Sequence, residues 1–156
     1  MRIIAVCISL LTLSLAAAAP EQVPYPEGFR TWRHVRSALI NPDSPAYDHF
    51  GGIHHIYAND KAIHGFESGR FADGSVLVFD VLAVETAKGA TVEKERRIVD
   101  VMHKDTARFA STGGWGFEEF RGDTQERNIG PRAETECYKC HSAKKDHDLV
   151  FSELRK

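Results

Sequence analysis

Close to its C-terminus the chain reads Cys137-Tyr138-Lys139-Cys140-His141. The spacing has a chemical reason. Two thiols three positions apart can reach both vinyl groups of one haem and form thioethers, and the adjacent histidine then falls under the iron. Two other uses compete for the same residues. A redox C-x-x-C usually opens a helix after an N-terminal βαβ strand, whereas this one closes the chain. A zinc site needs two further ligands; His147 offers one, but no second C-x-x-C exists. The spacing therefore favours one covalently attached haem c, anchored by Cys137 and Cys140, with His141 as the metal ligand.

The start of the chain fits that chemistry. Met1-Arg2 precedes an apolar run from Ile3 to Ala19 that ends in small residues before Pro20. A basic start, a short apolar stretch and a small-residue end make a secretory signal peptide. The expected boundaries are a leader over residues 1–18 and a single haem domain over 19–156. The mature protein is then periplasmic and not membrane-spanning, because no later stretch is long and apolar enough to cross a bilayer. Cys7 leaves with the leader, so Cys137 and Cys140 remain alone of the three cysteines. A formal charge of −2 gives no broad basic surface, so nucleic acid is not an expected partner.

The apolar pattern predicts a mixed, mainly β fold. Phe29, Trp32, Val35 and Leu39 sit three to four apart, which predicts an amphipathic helix ended by Asn41-Pro42. Gly52 to Asn59 alternates and predicts a strand. Lys61 to Gly69 predicts a short helix, and Asp73-Gly74 a turn. Ser75 to Val84 is nearly all apolar and predicts a strand buried on both faces. Thr86 to Ala90 reads as a loop, Glu93 to His103 as another strand, and Lys104 to Ala110 as a helical turn with Phe109 inward. Gly113-Gly114-Trp115-Gly116-Phe117 reads as a loop or bulged strand near a ligand.

Axial ligation is the next question. Met102 is the sole mature methionine, and it lies upstream of the motif, so Met/His ligation is disfavoured. His34, His49, His54, His55, His64, His103 and His147 are the candidates for a second histidine ligand. The alternative is an iron with one protein ligand and an open face for small gases. Four-helix haem proteins also carry a C-terminal C-x-x-C-H, but these strands do not suit a bundle.

The run I-H-H-I-Y, then F-A-D-G-S-V-L-V-F-D, V-D-V-M-H-K-D-T-A-R-F-A, G-G-W-G-F and the closing haem motif resembles the cytochrome P460 family from about Tyr25 to Leu154. The resemblance implies an α+β, mainly β fold: an antiparallel sheet core with a few short helices, one c-type haem and a homodimer. It also implies one of two activities. Some members oxidise hydroxylamine and carry a lysine bonded to the haem edge. The cytochromes c′-β lack that lysine and bind nitric oxide or carbon monoxide under capping phenylalanines. Aligned on Asp73-Gly74-Ser75-Val76, the lysine position falls on Phe79, and Phe50 falls where the second capping phenylalanine lies. His54 falls where the hydroxylamine-oxidising members tend to place an arginine. The sequence is thus more similar to the gas-binding type. A hydroxylamine oxidoreductase is the runner-up and an electron-transfer cytochrome the third reading, with the redox partner unknown.

Overall fold

The computed structural model describes residues 22–155; the leader read in residues 1–18 lies outside them. Five strands form one antiparallel sheet in simple sequential order: β1 (Arg33–Ile40), β2 (Gly52–Ala58), β3 (Val76–Ala87), β4 (Ala90–Lys104) and β5 (Trp115–Arg121). Three short helices accompany them: α1 (Tyr47–Phe50), α2 (Asp60–Ser68) and α3 (Lys139–His141). The mainly β architecture expected from the sequence is the one observed. Among the described residues no helix is long and apolar enough to cross a membrane.

Alternation along the strands sends side chains to two covered faces. One face packs Ile56, Ala58, Leu77, Trp115 and Phe117 with Phe71 of the following loop and with Leu149 and Val150 beyond the cysteine motif. The other packs Val78, Val99, Val101 and Phe120 with Val23 and Phe29 of the N-terminal arm. This double covering explains why β3 reads as a nearly unbroken apolar run.

Two expectations fail for local reasons. The residues read as an amphipathic helix form a single 3-10 turn, Phe29–Thr31, followed by β1. A bulge between His34 and Arg36 shifts the register. Trp32 packs with the second face and Val35 with the first. The helical spacing is thus a coincidence of two elements: Phe29 and Trp32 belong to the turn and its exit, Val35 sits at the bulge, and Leu39 pairs with Ile53 on β2. The loop read over Thr86 to Ala90 is instead a two-residue hairpin, with Ala87 paired to Ala90. Lys88 and Gly89 both have positive φ, 52° and 79°, as the turn that matches strand twist requires. β4 therefore starts three residues earlier than the pattern suggests.

Other signals fold as read. Asn59 caps α2 by accepting from Ala62 N at 3.0 Å, and the same oxygen accepts from Val76 N at 3.1 Å, joining helix to sheet. Asp73 accepts from Thr106 N and Thr106 Oγ1, both at 2.9 Å. These bonds hold the exposed Asp73 carboxyl below its ordinary pKa. They tie the F-A-D-G segment to the K-D-T-A-R-F-A segment, so two of the sequence markers are one structural joint.

Candidate haem site

The sheet prepares a cross-strand platform. Ile56, Phe79, Asp100 and Glu119 form one row across β2, β3, β4 and β5; Ala58, Leu77, Met102 and Phe117 form the next. Over this face lies the segment that carries the motif. It begins as a π-turn, Glu134–Tyr138, and passes into α3. Cys137 and Tyr138 pack against the apolar cluster that includes Phe79 and Met102. Cys137 is half-buried and Cys140 exposed, and both are free thiols. Burial, and then the nearby Asp100 and Glu119 carboxyls, push the Cys137 thiol up to about 12.

His141 is oriented from one side only. Its Nδ1 lies 2.7 Å from the Leu149 carbonyl oxygen. A carbonyl only accepts, so Nδ1 carries the proton and Nε2 holds the lone pair. The ring lies 5.1 Å from Phe117 on one side and 5.1 Å from Phe151 on another. Burial lowers its pKa despite the bond to Leu149. A half-buried imidazole with its outer N–H fixed by a backbone carbonyl is the arrangement of a metal-ligating histidine.

Phe50 and Phe79, far apart in sequence, meet edge to face with ring centres 5.6 Å apart. Phe79 also stacks on His54 at 4.3 Å. His54 is buried, and its Nδ1 has no hydrogen-bond partner among the described residues. Burial and the neighbouring His55 lower its pKa to about 4. The other histidines separate cleanly. His55 points to the opposite face, where its Nδ1 contacts Ser37 Oγ and Ser37 Oγ contacts His34 Nε2. His103 packs near Phe109 on that same opposite face. His64 pairs with Glu67 and His147 with Asp146, both on the surface. His49 pairs with Glu119 at 2.6 Å. Met102 lies on the His141 face.

The acidic end of the first row escaped the sequence reading. Asp100 and Glu119 are directly opposed across β4 and β5. Glu119 also accepts from Asn128 and pairs with His49. Burial first, then the charge and hydrogen bond of Glu119, then Glu118, raise the Asp100 pKa well above the ordinary carboxyl range. The available signal was a carboxylate placed inside an otherwise buried strand pattern, V-D-V-M, facing F-E-E-F. The consequence is measurable. A carboxyl that binds its proton more tightly when folded makes stability fall as pH rises from about 3.9 through its native pKa. Asp100→Asn mimics the protonated form and is expected to remove this fall, making the protein more stable than wild type at alkaline pH by up to about 1 kcal/mol. Urea midpoints at acid and alkaline pH check this; parallel pH dependences in the two proteins would refute it.

The residues on this face suit a haem. A half-buried apolar row, a histidine with a directed lone pair, two thiols in haem spacing and an orphaned buried imidazole nitrogen together match what the group needs. Such a sheet and motif define a c-type haem protein. The family model for cytochrome P460 matches residues 26–152, and the chain belongs to that family. A search of curated proteins finds no match.

Proposed function

We propose that this chain is an exported, periplasmic monohaem cytochrome that binds small gases such as nitric oxide or carbon monoxide at a five-coordinate haem. Cys137 and Cys140 anchor the group by thioethers, and His141 Nε2 is its single protein ligand. Phe50 and Phe79 form the distal wall. The observation that carries this reading is the His141 Nδ1 bond to Leu149 O, which leaves Nε2 as a directed, neutral donor.

When bound, the haem would supply an iron able to take up a small ligand. The chain's own residues do the rest. Leu149 O fixes the tautomer of His141 and the direction of its ring. Phe117 and Phe151 brace that ring. The Phe50–Phe79 pair excludes bulk water while allowing ring movement for a diatomic. Phe79 has no amine, so this chain has no side chain at that position able to form a bond to the haem edge. That counts against hydroxylamine oxidation. A homodimer, as the family resemblance implies, remains part of the proposal.

Absorption spectra of the haem-loaded protein test the reading. The expected result is a high-spin ferrous spectrum that shifts on adding nitric oxide or carbon monoxide. A strongly red-shifted ferrous band would point instead to a cross-linked, hydroxylamine-oxidising protein. A low-spin spectrum indifferent to both gases would point to a second axial ligand and electron transfer.

A further inference from the structure

The distal wall is not wholly apolar. His54 sits on β2 one cross-strand row beyond Phe79, opposite Val81, and stacks on the Phe79 ring. Phe50 closes the other side of Phe79. His54 is 9% exposed, and its Nδ1 is buried without a hydrogen-bond partner among the described residues. An unmet buried polar atom costs about 1–3 kcal/mol. Such an atom needs an explanation in a native structure, and an occupant that completes it is one. Nothing on β2 itself supplies the partner, because its neighbours Ile53 and His55 point to the opposite face. The two facing strands offer Ala38 and Val81, both apolar.

The state of the ring decides what it can offer. Burial and the adjacent His55 keep His54 neutral down to about pH 4. A neutral imidazole carries one N–H and one lone pair. It can therefore donate a hydrogen bond without placing a charge beside the haem. Phe79, which lies between His54 and Phe50, contributes only shape. His54 is thus the polar group on the β2 side of Phe79, while Asp100 and Glu119 lie on its β4 side.

We infer that His54 is a specificity-determining residue: it donates a hydrogen bond to a small ligand bound on the Phe50–Phe79 side of the haem. The pocket then favours ligands whose outer atom accepts a hydrogen bond, dioxygen among them, over ligands that make poor acceptors. This rests on the gas-binding reading above. No bond to the ligand's atoms forms or breaks, and no electron moves; the effect is on affinity alone.

The test compares wild type, His54→Leu and His54→Gln, each haem-loaded and reduced, with carbon monoxide and dioxygen as probes. In His54→Leu the C–O stretching frequency of the carbonyl complex is expected to rise, because a donor that drew electron density outward is gone. Dioxygen is expected to dissociate about tenfold faster, the scale of one net hydrogen bond. His54→Gln keeps an N–H and is expected to stay near wild type. A solvent-deuteration shift of the iron–dioxygen stretch in wild type gives the same answer without any variant. An unchanged C–O frequency in His54→Leu, with no deuteration shift in wild type, would overturn the role of His54 while leaving gas binding intact. A wild-type protein that forms no carbonyl complex would overturn the gas-binding reading, and this inference with it. A wild type that is low-spin before any ligand is added, and high-spin in His54→Leu, would make His54 an iron ligand and would also overturn its role as a donor.

Discussion

Asp148→Ala is expected to lower stability by about 3–5 kcal/mol, the scale of leaving a buried charge without its partner. The reason lies in what Asp148 holds. Its Oδ1 accepts from Lys104 Nζ at 2.7 Å and from Trp115 Nε1 at 3.3 Å; its Oδ2 accepts from Phe71 N at 3.1 Å. Lys104, the last residue of β4, is buried, with its ammonium 5.0 Å from the Trp115 ring and 3.2 Å from Gly113 O. Removing the carboxylate strands that cation in an apolar layer. Asp148→Asn keeps the shape and some of the hydrogen bonds, so it costs less. Lys104→Met paired with Asp148→Asn removes both charges and is expected to recover part of the loss. Urea unfolding of the single and double variants measures the coupling directly; additive effects would show that the pair is not a unit.

The same residue links stability to the site. Asp148 and Leu149 both have positive φ, 50° and 66°, without being glycine. Such backbone persists only where the surroundings over-determine it. The three hydrogen bonds to Asp148 do so, and Leu149 then presents its carbonyl to His141 Nδ1. Losing the Asp148 carboxylate is therefore expected to loosen the orientation of His141 as well as the fold.

What the sequence makes legible follows from where the information is local. The short helix after Asn59, the Asp73-Gly74 turn and the apolar run of β3 each state their structure within a few residues, and each folds as read. β1 does not, because Phe29, Trp32, Val35 and Leu39 span a turn and a bulged strand, and only pairing with β2 reveals which face each takes. The hairpin at Lys88-Gly89 was hidden because lysine is an unusual occupant of a positive-φ turn position. The candidate site divides the same way. The family alignment paired Phe50 with Phe79, and the two rings do meet. The row that runs from Phe79 to Asp100 and Glu119 is a product of strand register, which no single stretch of sequence records. His54 and His55 are adjacent, yet the pleat sends one to the His141 face and the other to its opposite.

Replacing His141 by glycine is expected to leave the haem attached while stripping it of its protein ligand. The two functions are separable because they rest on different atoms. In the proposed site Cys137 and Cys140 hold the group through their sulfurs, whereas His141 acts through Nε2 alone. Changing even the outer partner of a metal ligand costs about 10–100-fold in affinity or activity. Losing the ligand itself is expected to weaken carbon monoxide binding by more than about 100-fold. The vacated space has a defined shape: Phe117 and Phe151 flanked the lost ring at 5.1 Å each, and Leu149 O remains as an acceptor. Free imidazole fits that description, donating one N–H to Leu149 O and directing its other nitrogen as His141 did. Adding it to the glycine variant is expected to return the absorption spectrum and carbon monoxide affinity toward wild type. Covalent retention is read separately, by haem staining of the denatured chain. A glycine variant with an unaltered spectrum and affinity would remove His141 from the iron and reopen the choice among the remaining side chains of this face, His54 and Met102 first.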